Sequence, residues 1–226
     1  MWTVFTLRVQ KPYARLVPDA IARPYHHGDL RAALVRAAAE LAREGGLEAL
    51  TLRETTRRAG VSAGAAYRHF ASREDLTFAV GAVALSDMAR AIERRQAEVV
   101  AGNDLERALA LLRAVGFGYI DYALDDPGNF EVAMFGLFTL AHTALEPARG
   151  DRGRTPYELL VDAVTSLVAL DVLKAEQSFT VAITCWSTVH GFATLATRGP
   201  LRELPREALD EQAADVVRTL VAGLLP

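Results

Sequence analysis

Three signals that start α-helices fall within residues 51–76, and this crowding constrains the fold more than any other feature of the sequence. Thr51, followed by a glutamate three residues later, has the spacing of a capping box. Ser62 and Ser72 belong to the residue types that cap helices by accepting a backbone N–H. Gly60, between the first two signals, can take the left-handed backbone conformation that most residues avoid. The segment therefore predicts two short helices joined by a tight turn and followed by a longer third helix.

The second short helix, which we expect to run from Ser62 to Phe70, carries too little apolar surface to form a core by itself. Ala66 and Phe70 lie four residues apart and share one helix face, so we expect them to point inward together with Val61. Two short helices that meet at a glycine turn and are supported by flanking helices form a helix-turn-helix unit.

Helical periodicity dominates the rest of the chain, and the sequence contains no convincing strand pattern and no internal repeat. The preceding helix is predicted to begin with Asp29 as its N-cap and to end at Gly45-Gly46. Later helices are predicted at about 73–100, 103–125, 128–146 (as one or two helices), 156–173, 176–198 and 206–224, with a loop from Pro147 to Pro156. The apolar side of the helix at 73–100 is predicted to include Leu76, Val80, Val83, Ala84 and Ile92. That of the helix at 103–125 is predicted to include Leu105, Leu109, Leu112, Phe117, Ile120 and Leu124. The predicted fold class is all-α, with about nine to ten helices.

The chain divides into three parts. Residues 1–24 contain three prolines and no sustained period, so we expect a flexible N-terminal extension whose four basic side chains are available to a phosphate surface. A helix-turn-helix domain is predicted at 25–75 and a second helical domain at 76–226. Residues 1–75 hold twelve Lys and Arg against eight Asp and Glu, whereas the remainder holds thirteen against twenty. The first part of the chain, which we call the head, is therefore basic, and an anionic partner would bind there. Chance variation in charge is the alternative.

The composition argues for a soluble cytoplasmic protein. Hydrophobic residues make up 51% of the chain and charged residues 23%, which is typical of a globular domain. The longest nearly apolar run, at 132–141, is about half of the roughly 20 residues that a bilayer requires, so we expect no transmembrane segment. The start of the chain lacks the long apolar core of a signal peptide. Cys185 is the only cysteine, which excludes an intramolecular disulfide and fits a reducing cytoplasm.

The start of the second short helix has residue types that suit the major groove of duplex DNA, which is about 12 Å wide and admits one α-helix. Ala63, Gly64 and Ala65 would let the helix backbone approach the DNA closely. Ser62 can hold a phosphate through its hydroxyl and through the free N–H groups of the helix start. Because this helix lacks Asn and Gln, Arg68 is its obvious bidentate base reader, and we expect methyl contacts and DNA shape to carry much of the specificity.

The polar side chains nearby extend this hypothesis. Tyr67, Arg68 and His69 can hydrogen-bond phosphate oxygens or base edges. The two neighbouring helix starts add Thr51, Arg53 and Arg73, where a phosphate backbone would run. Taken singly, each residue also has a structural interpretation, because Tyr67 and His69 could cover a small core and the hydroxyl residues could be helix caps only.

Residues 29–76 resemble the DNA-binding domain of TetR/AcrR-type transcriptional regulators. The matching motifs are GLEALTLRE at 46–54, AGVS at 59–62, YRHF at 67–70 and SREDL at 72–76, and YHHGDLRAALVRAAAELA at 25–42 resembles the opening of many members. The resemblance implies DNA contacts at Thr51, Arg53, Ser62, Ala63, Ala65, Tyr67, His69 and Arg73, to which we add Arg68 on its chemistry. The family commonly has an aliphatic residue and Ala where this chain has Thr55 and Thr56, which puts the packing of the two short helices in doubt.

The helical remainder resembles, more loosely, the family's ligand-binding and dimerisation domain, and Trp186, His190 and Gly191 match a W-x-x-x-H-G motif of one subgroup. One short helix contacts too few base pairs to specify a genomic site, so we expect a homodimer that reads two half-sites of a palindromic or nearly palindromic operator. The predicted interface stripes lie on the helices at 176–198 and 206–224 and comprise Val181, Thr184, Thr188, Phe192 and Leu195, and Leu209, Val216, Leu220 and Leu224. The alternative is that these stripes face the domain's own core.

Residues 117–142 are rich in Phe and Tyr, which indicates either plain core or an apolar pocket for a small hydrophobic effector. The candidate pocket residues are Phe117, Tyr122, Phe130, Met134, Phe138, Trp186 and His190. We expect the effector to change the angle between the helix at 73–100 and the head, and thereby to lower the affinity for DNA. In the TetR-type family the default role is that of a repressor.

Other classes of function have less support in the sequence. Ser187 and His190 lie three residues apart, but there is no G-x-S-x-G motif and no third member of a triad. Cys185, His190 and His142 lack the spacing of C-x-x-C or H-E-x-x-H metal sites. We therefore expect neither an enzyme nor a cofactor. The remaining alternative is a helical scaffold whose head binds a protein, and a steep salt dependence of duplex DNA binding would distinguish the two.

Overall fold

The computed structural model describes residues 27–100, 102–136 and 146–224, and within these ranges the chain is helical and contains no strand. The helices are α1 (His27–Ala49), α2 (Leu52–Ala59), α3 (Ala63–Tyr67), α4 (Arg73–Ala97), α5 (Asp104–Asp125), α6 (Pro127–Phe135), α7 (Pro156–Ala169), α8 (Ser178–Thr197) and α9 (Arg206–Ala222). The predicted all-α class is confirmed. The predicted N-terminal extension, Phe138 and His142 lie outside the described residues.

The three predicted helix starts form as side-chain caps. Thr51 Oγ1 accepts the N–H of residue 54 at 3.2 Å, Ser62 Oγ accepts that of residue 65 at 3.3 Å, and Ser72 Oγ accepts that of residue 75 at 3.1 Å. Gly60 ends α2 with a φ of +67°, in the left-handed region that the tight turn requires. The capping box at the first start is incomplete, because the Glu54 carboxylate pairs with Arg57 instead of the Thr51 N–H.

Several predicted boundaries are wrong by a few residues. α1 begins at His27, so Asp29 lies in the first turn and is not the N-cap. The helix is interrupted at Gly45-Gly46 as predicted, but one further helical turn follows before it ends. α3 ends at Tyr67 and not at Phe70, because the N–H groups of residues 69 and 70 both bond the carbonyl of Ala66 in a tighter turn.

Two hydrophobic cores share α4. The smaller core joins α1, α3 and the start of α4 through Leu34, Phe70 and Leu76. The larger core joins the remainder of α4 to α5, α6, α7, α8 and α9. Because helices pack against α4 on most sides, only a narrow stripe of it faces solvent, and Val83, predicted to be apolar core, lies on that stripe with Asp87. Leu105 is also exposed, contrary to prediction, because the first turn of α5 projects beyond the core.

The start of α6 packs tightly against α1. Asp126, the N-cap of α6, forms an ion pair with Arg43 of α1 at 2.8 Å. The Asn129 side-chain amide donates to the carbonyl of Ala39 at 3.1 Å. Gly128 lies so close to the α1 backbone that a Cβ at this position would overlap the carbonyl of Ala42. α6 is therefore fastened to the head at its start, and it contributes to both cores, with Val132 in the smaller core and Phe130 and Ala133 in the larger one.

One helical stretch, Ala175–Thr197, is long and apolar enough to span a membrane by length and composition alone. We expected no transmembrane segment because we considered only uninterrupted apolar runs. In this helix Thr and Ser interrupt such a run, but they lower the mean hydropathy only slightly. The core helix of a soluble protein passes the same test, so this is weak evidence for a span. Only 39% of the most apolar 18-residue stretch of this helix is buried inside the chain, so much of the helix surface is open to a partner.

The two threonines that depart from the family pattern are both accommodated, but differently. Thr55 and Thr56 are buried in the helix-turn-helix unit. The Thr56 hydroxyl donates to the carbonyl of Arg53 at 2.8 Å. The Thr55 hydroxyl is buried and has no hydrogen-bond partner among the described residues. Of the two hydroxyl groups, only that of Thr56 is therefore satisfied by the helix backbone.

We predict that Thr55→Val stabilises the protein, because valine has nearly the same shape and removes a buried hydroxyl that lacks a partner. A gain of about 1 kcal/mol corresponds to a rise of about 2–4 °C in melting temperature for a chain of this size. Thr56→Val, which loses a satisfied hydroxyl, is the matched control and should not stabilise. Thermal unfolding followed by circular dichroism checks both, and equal shifts for the two variants would contradict the explanation.

Candidate nucleic-acid interface and internal cavity

α3 projects from the head with one face anchored and the other exposed. Ala66 and Phe70 are buried in the smaller core at 0% and 1% relative exposure. On the outer side Tyr67 is 59% exposed and Arg68 is also exposed. The first residues of the helix, Ser62, Ala63 and Gly64, are exposed as well. The N-terminus and the polar side of this helix are therefore accessible to a partner.

The remaining predicted contact residues lie around this helix. Thr51 and Arg53, at the start of α2, are exposed. Ala65 and His69 are half-buried, so each keeps only part of its surface for a partner. Behind the helix, the Arg31 guanidinium lies 5.1 Å from the centre of the Phe70 ring and covers it.

Arg73 has a structural role that the sequence did not reveal. Its Nε donates to the carbonyl of Leu50 at 2.6 Å and its Nη2 donates to that of Leu47 at 2.8 Å. These carbonyls end the α1 segment, so Arg73 fixes the start of α4 against it. The side chain is still exposed, and a guanidinium group has further N–H donors beyond the two used here.

The basic side chains of the head differ in how much charge they offer. Arg57 pairs with Glu54, and Arg58 pairs with Glu44 at 2.7 Å, so these charges are largely neutralised by neighbours. Within the described residues, neither Arg53 nor Arg68 forms an ion pair. These two exposed guanidinium groups flank the projecting helix and are available to phosphate oxygens or base edges.

A cavity lies in the larger core, between α4, α5, α6, α7, α8 and α9. It contains about 710 Å³ of atom-free space including its mouth, of which about 60 Å³ is open to the centre of a water molecule. Its wall is formed by Leu85, Met88, Ile92, Leu112, Val115, Gly116, Tyr119, Met134, Thr155, Pro156, Tyr157, Leu160, Cys185, Trp186, Val189, Val217, Leu220 and Val221. Among the residues that the structure describes, no Asp, Glu, Lys, Arg or His side chain belongs to this wall.

The predicted pocket residues are only partly on this wall. Met134 and Trp186 line it, whereas Phe130 and His190 lie behind Tyr119, whose hydroxyl is 2.8 Å from His190 Nδ1. Phe117 and Tyr122 do not line the cavity, which corrects the prediction. Phe117 faces away from it because its ring lies 5.9 Å from the Arg95 guanidinium, and Tyr122 sits near Asp126 at the other end of α5.

Sequence reasoning also missed wall residues that a stricter use of helical spacing would have found. Tyr119 follows Leu112 and Val115 at intervals of three and four residues, which places all three on one face of α5. Cys185 and Val189 repeat the pattern on α8. The contributions from α7 and α9 depend on tertiary packing and have no local signal.

The titratable groups in and behind the cavity wall are held neutral. Burial raises the pKa of the Tyr119 and Tyr157 phenols above their usual value, and it raises the pKa of the Cys185 thiol to about 11. Desolvation lowers the pKa of His190 below its usual value. Each shift disfavours the charged form, so the cavity is an uncharged, almost wholly apolar space near neutral pH.

α2 and α3 are joined by the left-handed turn at Gly60, and α3 projects from the head. This arrangement defines a helix-turn-helix protein that binds DNA. Comparison with known proteins identifies its family. Residues 34–80 match the family model of bacterial regulatory proteins of the tetR family, and residues 112–220 match the model of the tetracycline repressor-like C-terminal domain. The chain therefore belongs to the TetR family, and it is a DNA-binding transcriptional regulator. This family is one of regulators and not of enzymes, and the match does not favour the scaffold alternative.

Relatives agree with this assignment over most of the chain. An uncharacterised helix-turn-helix-type transcriptional regulator of Mycobacterium tuberculosis is 28% identical over 214 residues, which cover 95% of this chain and 89% of that protein. A protein of unknown function from Rhodococcus sp. RHA1 has a similar structure, with a TM-score of 0.66, 27% identity and coverage of 91% and 100% of the two chains. A TetR variant from Acinetobacter baumannii AYE in complex with minocycline shares the fold at a TM-score of 0.58, with 16% identity and coverage of 88% and 96%.

Gly64 gives a prediction that separates folding from binding. A Cβ at this position would meet no atom of the chain within 4 Å, so packing does not require glycine here. Alanine is favoured over glycine in a helix by up to about 1 kcal/mol. We predict that Gly64→Ala raises the melting temperature but weakens DNA binding several-fold, because the added methyl group stands between α3 and the groove. A variant that melts higher and binds DNA unchanged would contradict close approach at this residue.

Proposed function

We propose that the protein is a homodimeric repressor that leaves its operator when a small hydrophobic effector enters the cavity. In this proposal residues 25–75 read DNA, residues 76–226 bind the effector and dimerise, and residues 1–24 are an extension whose basic side chains reach phosphates. The observation that carries the proposal is the exposure of the polar side of α3 while Ala66 and Phe70 hold its other side in the core. Repression, as opposed to activation, is the default role in the family.

α3 would enter the major groove with its N-terminus leading. The N–H groups of Ala63 and Gly64 would bind a phosphate, because the first backbone donors of a helix lack intrahelical partners, whereas the N–H of Ala65 is already bonded to Ser62. Arg68 would read a base edge, and Ala63 and Ala65 would contact thymine methyl groups. The remaining proposed contacts are to phosphates, from Thr51, Arg53, Tyr67, His69 and Arg73. The bonds that Arg73 makes to α1 carbonyls support a second role for this residue, in which it positions the start of α4.

We predict that Tyr67→Ala and Arg68→Ala each weaken binding to operator DNA without lowering the melting temperature, because both side chains are exposed. Operator fragments are obtained by sequencing the genomic DNA that the purified protein retains. Loss of a bidentate base contact costs about 1–3 kcal/mol, which is about 5- to 150-fold in affinity. Arg94→Ala is the matched control, since Arg94 is exposed at the far end of α4.

Fluorescence anisotropy at several salt concentrations checks this prediction. The slope of log affinity against log salt should be steep for the unchanged protein, because several phosphates are neutralised. Normal affinity in both head variants, or an equal loss in Arg94→Ala, would contradict the proposed interface. If the purified protein retains no duplex DNA, that result would favour the alternative in which the head binds a protein.

The proposed dimer interface is a revised version of the predicted stripes. Phe192 and Leu209 are buried in the chain's own core and cannot form the interface without unfolding. On α8, Thr180, Thr184 and Leu195 are exposed and recur at helical spacing. An apolar helix that the chain itself covers so incompletely favours a partner, and a second copy would supply a four-helix arrangement with α9.

We predict that Thr184→Arg converts the dimer into a monomer, because two long cations would meet at the two-fold axis. Since one head contacts a single half-site, DNA affinity should fall by at least about 100-fold, the loss expected when linked binding events are separated. Thr165→Arg, on the exposed side of α7, is the control and should remain a dimer. Analytical ultracentrifugation measures both, and a dimeric Thr184→Arg variant would place the interface elsewhere.

The proposed route from cavity to head runs through α6 as well as α4. Met134 of α6 forms part of the cavity wall, while Asp126 at the start of the same helix is paired with Arg43 of α1. A ligand that moves Met134 would therefore shift a helix that is fastened to the head. Together with a change in the angle of α4, this would alter the spacing of the two reading helices and lower DNA affinity. The A. baumannii TetR variant, which binds minocycline, supports the idea that this fold holds a ligand.

A further inference from the structure

We propose that the cavity selects an uncharged apolar ligand with one neutral oxygen function, which hydrogen-bonds to the Tyr119 hydroxyl and displaces the Met134 sulfur from it. This inference rests on the proposed effector role of the cavity and specifies the chemical class of the effector. It follows from the charge of the wall, from the hydrogen-bonding capacity of Tyr119 and from the position of Met134.

The wall excludes ionised ligands. The part of the wall that the structure describes carries no acidic, basic or imidazole side chain, and its two phenols and its thiol are kept in their neutral forms by burial. His190, directly behind Tyr119, is also kept neutral by desolvation. A carboxylate or an ammonium group that entered would lose its hydration without gaining a counter-charge, which is one of the costliest transfers in a protein interior.

Tyr119 is the polar group of the wall that is best placed to orient a ligand. It is 5% exposed, and its hydroxyl lies 2.8 Å from His190 Nδ1 and 3.1 Å from the Met134 sulfur. A phenol has one proton to donate, and a thioether is a weak acceptor. When His190 Nδ1 carries a proton and donates it to the Tyr119 oxygen, the phenol proton is left to the sulfur, and a ligand oxygen offers it a stronger bond.

The other tautomer of His190 leads to the same ligand class. In that form the Tyr119 hydroxyl donates to Nδ1, and its oxygen can accept a proton from a ligand hydroxyl in place of, or beside, the hydrogen bond from the Trp186 side chain. An alcohol satisfies both arrangements, because a hydroxyl group donates and accepts. Thr155 Oγ1, another polar atom of the wall, caps α7 by accepting the N–H of Glu158 at 3.3 Å, so it is less well placed than Tyr119 to accept from a ligand.

Because Met134 belongs to α6, the proposed hydrogen bond at Tyr119 would both hold the ligand and shift a helix that contacts the head. The space open to a water molecule is small, so a ligand must move side chains that are only half-buried, and Met134, Tyr157 and Trp186 meet that description. Methionine has flexible torsions and gives way easily. An oxygen seated at Tyr119 takes the place of the Met134 sulfur, and the displaced side chain belongs to the helix that is fastened to the head.

The test compares octan-1-ol, octanoate and octylammonium at pH 7.5, which share one chain length and differ in charge. The full-length protein is titrated with each probe by calorimetry, and DNA release is followed separately. Octan-1-ol should bind at least 10-fold more tightly than either ion. In Tyr119→Phe its affinity should fall about 5- to 10-fold, as expected for one hydrogen bond. Tyr122→Phe, on the same helix as Tyr119 but not part of the cavity wall, is the matched control and should bind octan-1-ol normally.

The outcomes separate this inference from the proposed function. If an ion binds as tightly as the alcohol, or if Tyr119→Phe and Tyr122→Phe lose affinity equally, the ligand class is wrong while the effector cavity stands. If octan-1-ol binds through Tyr119 but releases no DNA, the ligand class stands and the effector role fails. If none of the probes binds, both fail and only DNA binding remains. The charge comparison uses the unchanged protein, so it decides the matter even if Tyr119→Phe does not fold.

Discussion

The burial of Ala66 and Phe70 is the interaction on which the reading head depends. A five-residue helix has no stability of its own, because helix nucleation costs more than one turn of hydrogen bonds returns. α3 persists because these two side chains pack into the smaller core, Ser62 caps its start and Gly60 permits the turn before it. Since only one face is anchored, Tyr67 and Arg68 stay in solvent. The same packing that makes the helix stable thus makes it available to DNA.

The two cores explain how a site in one half of the molecule can act on the other. α4 belongs to both cores, and α6 reaches from the cavity wall at Met134 to the α1 backbone at Gly128. Well-packed interfaces of this kind shift between discrete arrangements and do not deform gradually. In the proposed mechanism a ligand that changes the packing at the cavity would act on the head through these two helices. Because the described part of the wall carries no charge, shape and one hydrogen bond would decide what enters.

The sequence predicted the parts of the structure that neighbouring residues encode. The caps at Thr51, Ser62 and Ser72 and the glycine turn follow from local chemistry, so they were found with little error. Periodicity identifies an apolar stripe but not the element that covers it, which is why Val83, Leu105 and Phe192 were assigned to the wrong surroundings. The bonds of Arg73 to carbonyls more than twenty residues away, and the meeting of Tyr119 with His190, arise only from tertiary packing.

The most direct test of the central claim is to attach a DNA-cleaving iron chelate to Ala63→Cys, at the start of α3. The native Cys185 is 3% exposed, so the label is directed to the introduced thiol. The labelled protein is bound to the genomic fragments that the unmodified protein retains, and the cut positions on both strands are sequenced. We predict cleavage at two symmetric positions about one helical turn apart, or a multiple of it, with the strand offset of a major-groove reagent. Cleavage with a minor-groove offset, or no cleavage of bound DNA, would contradict the account.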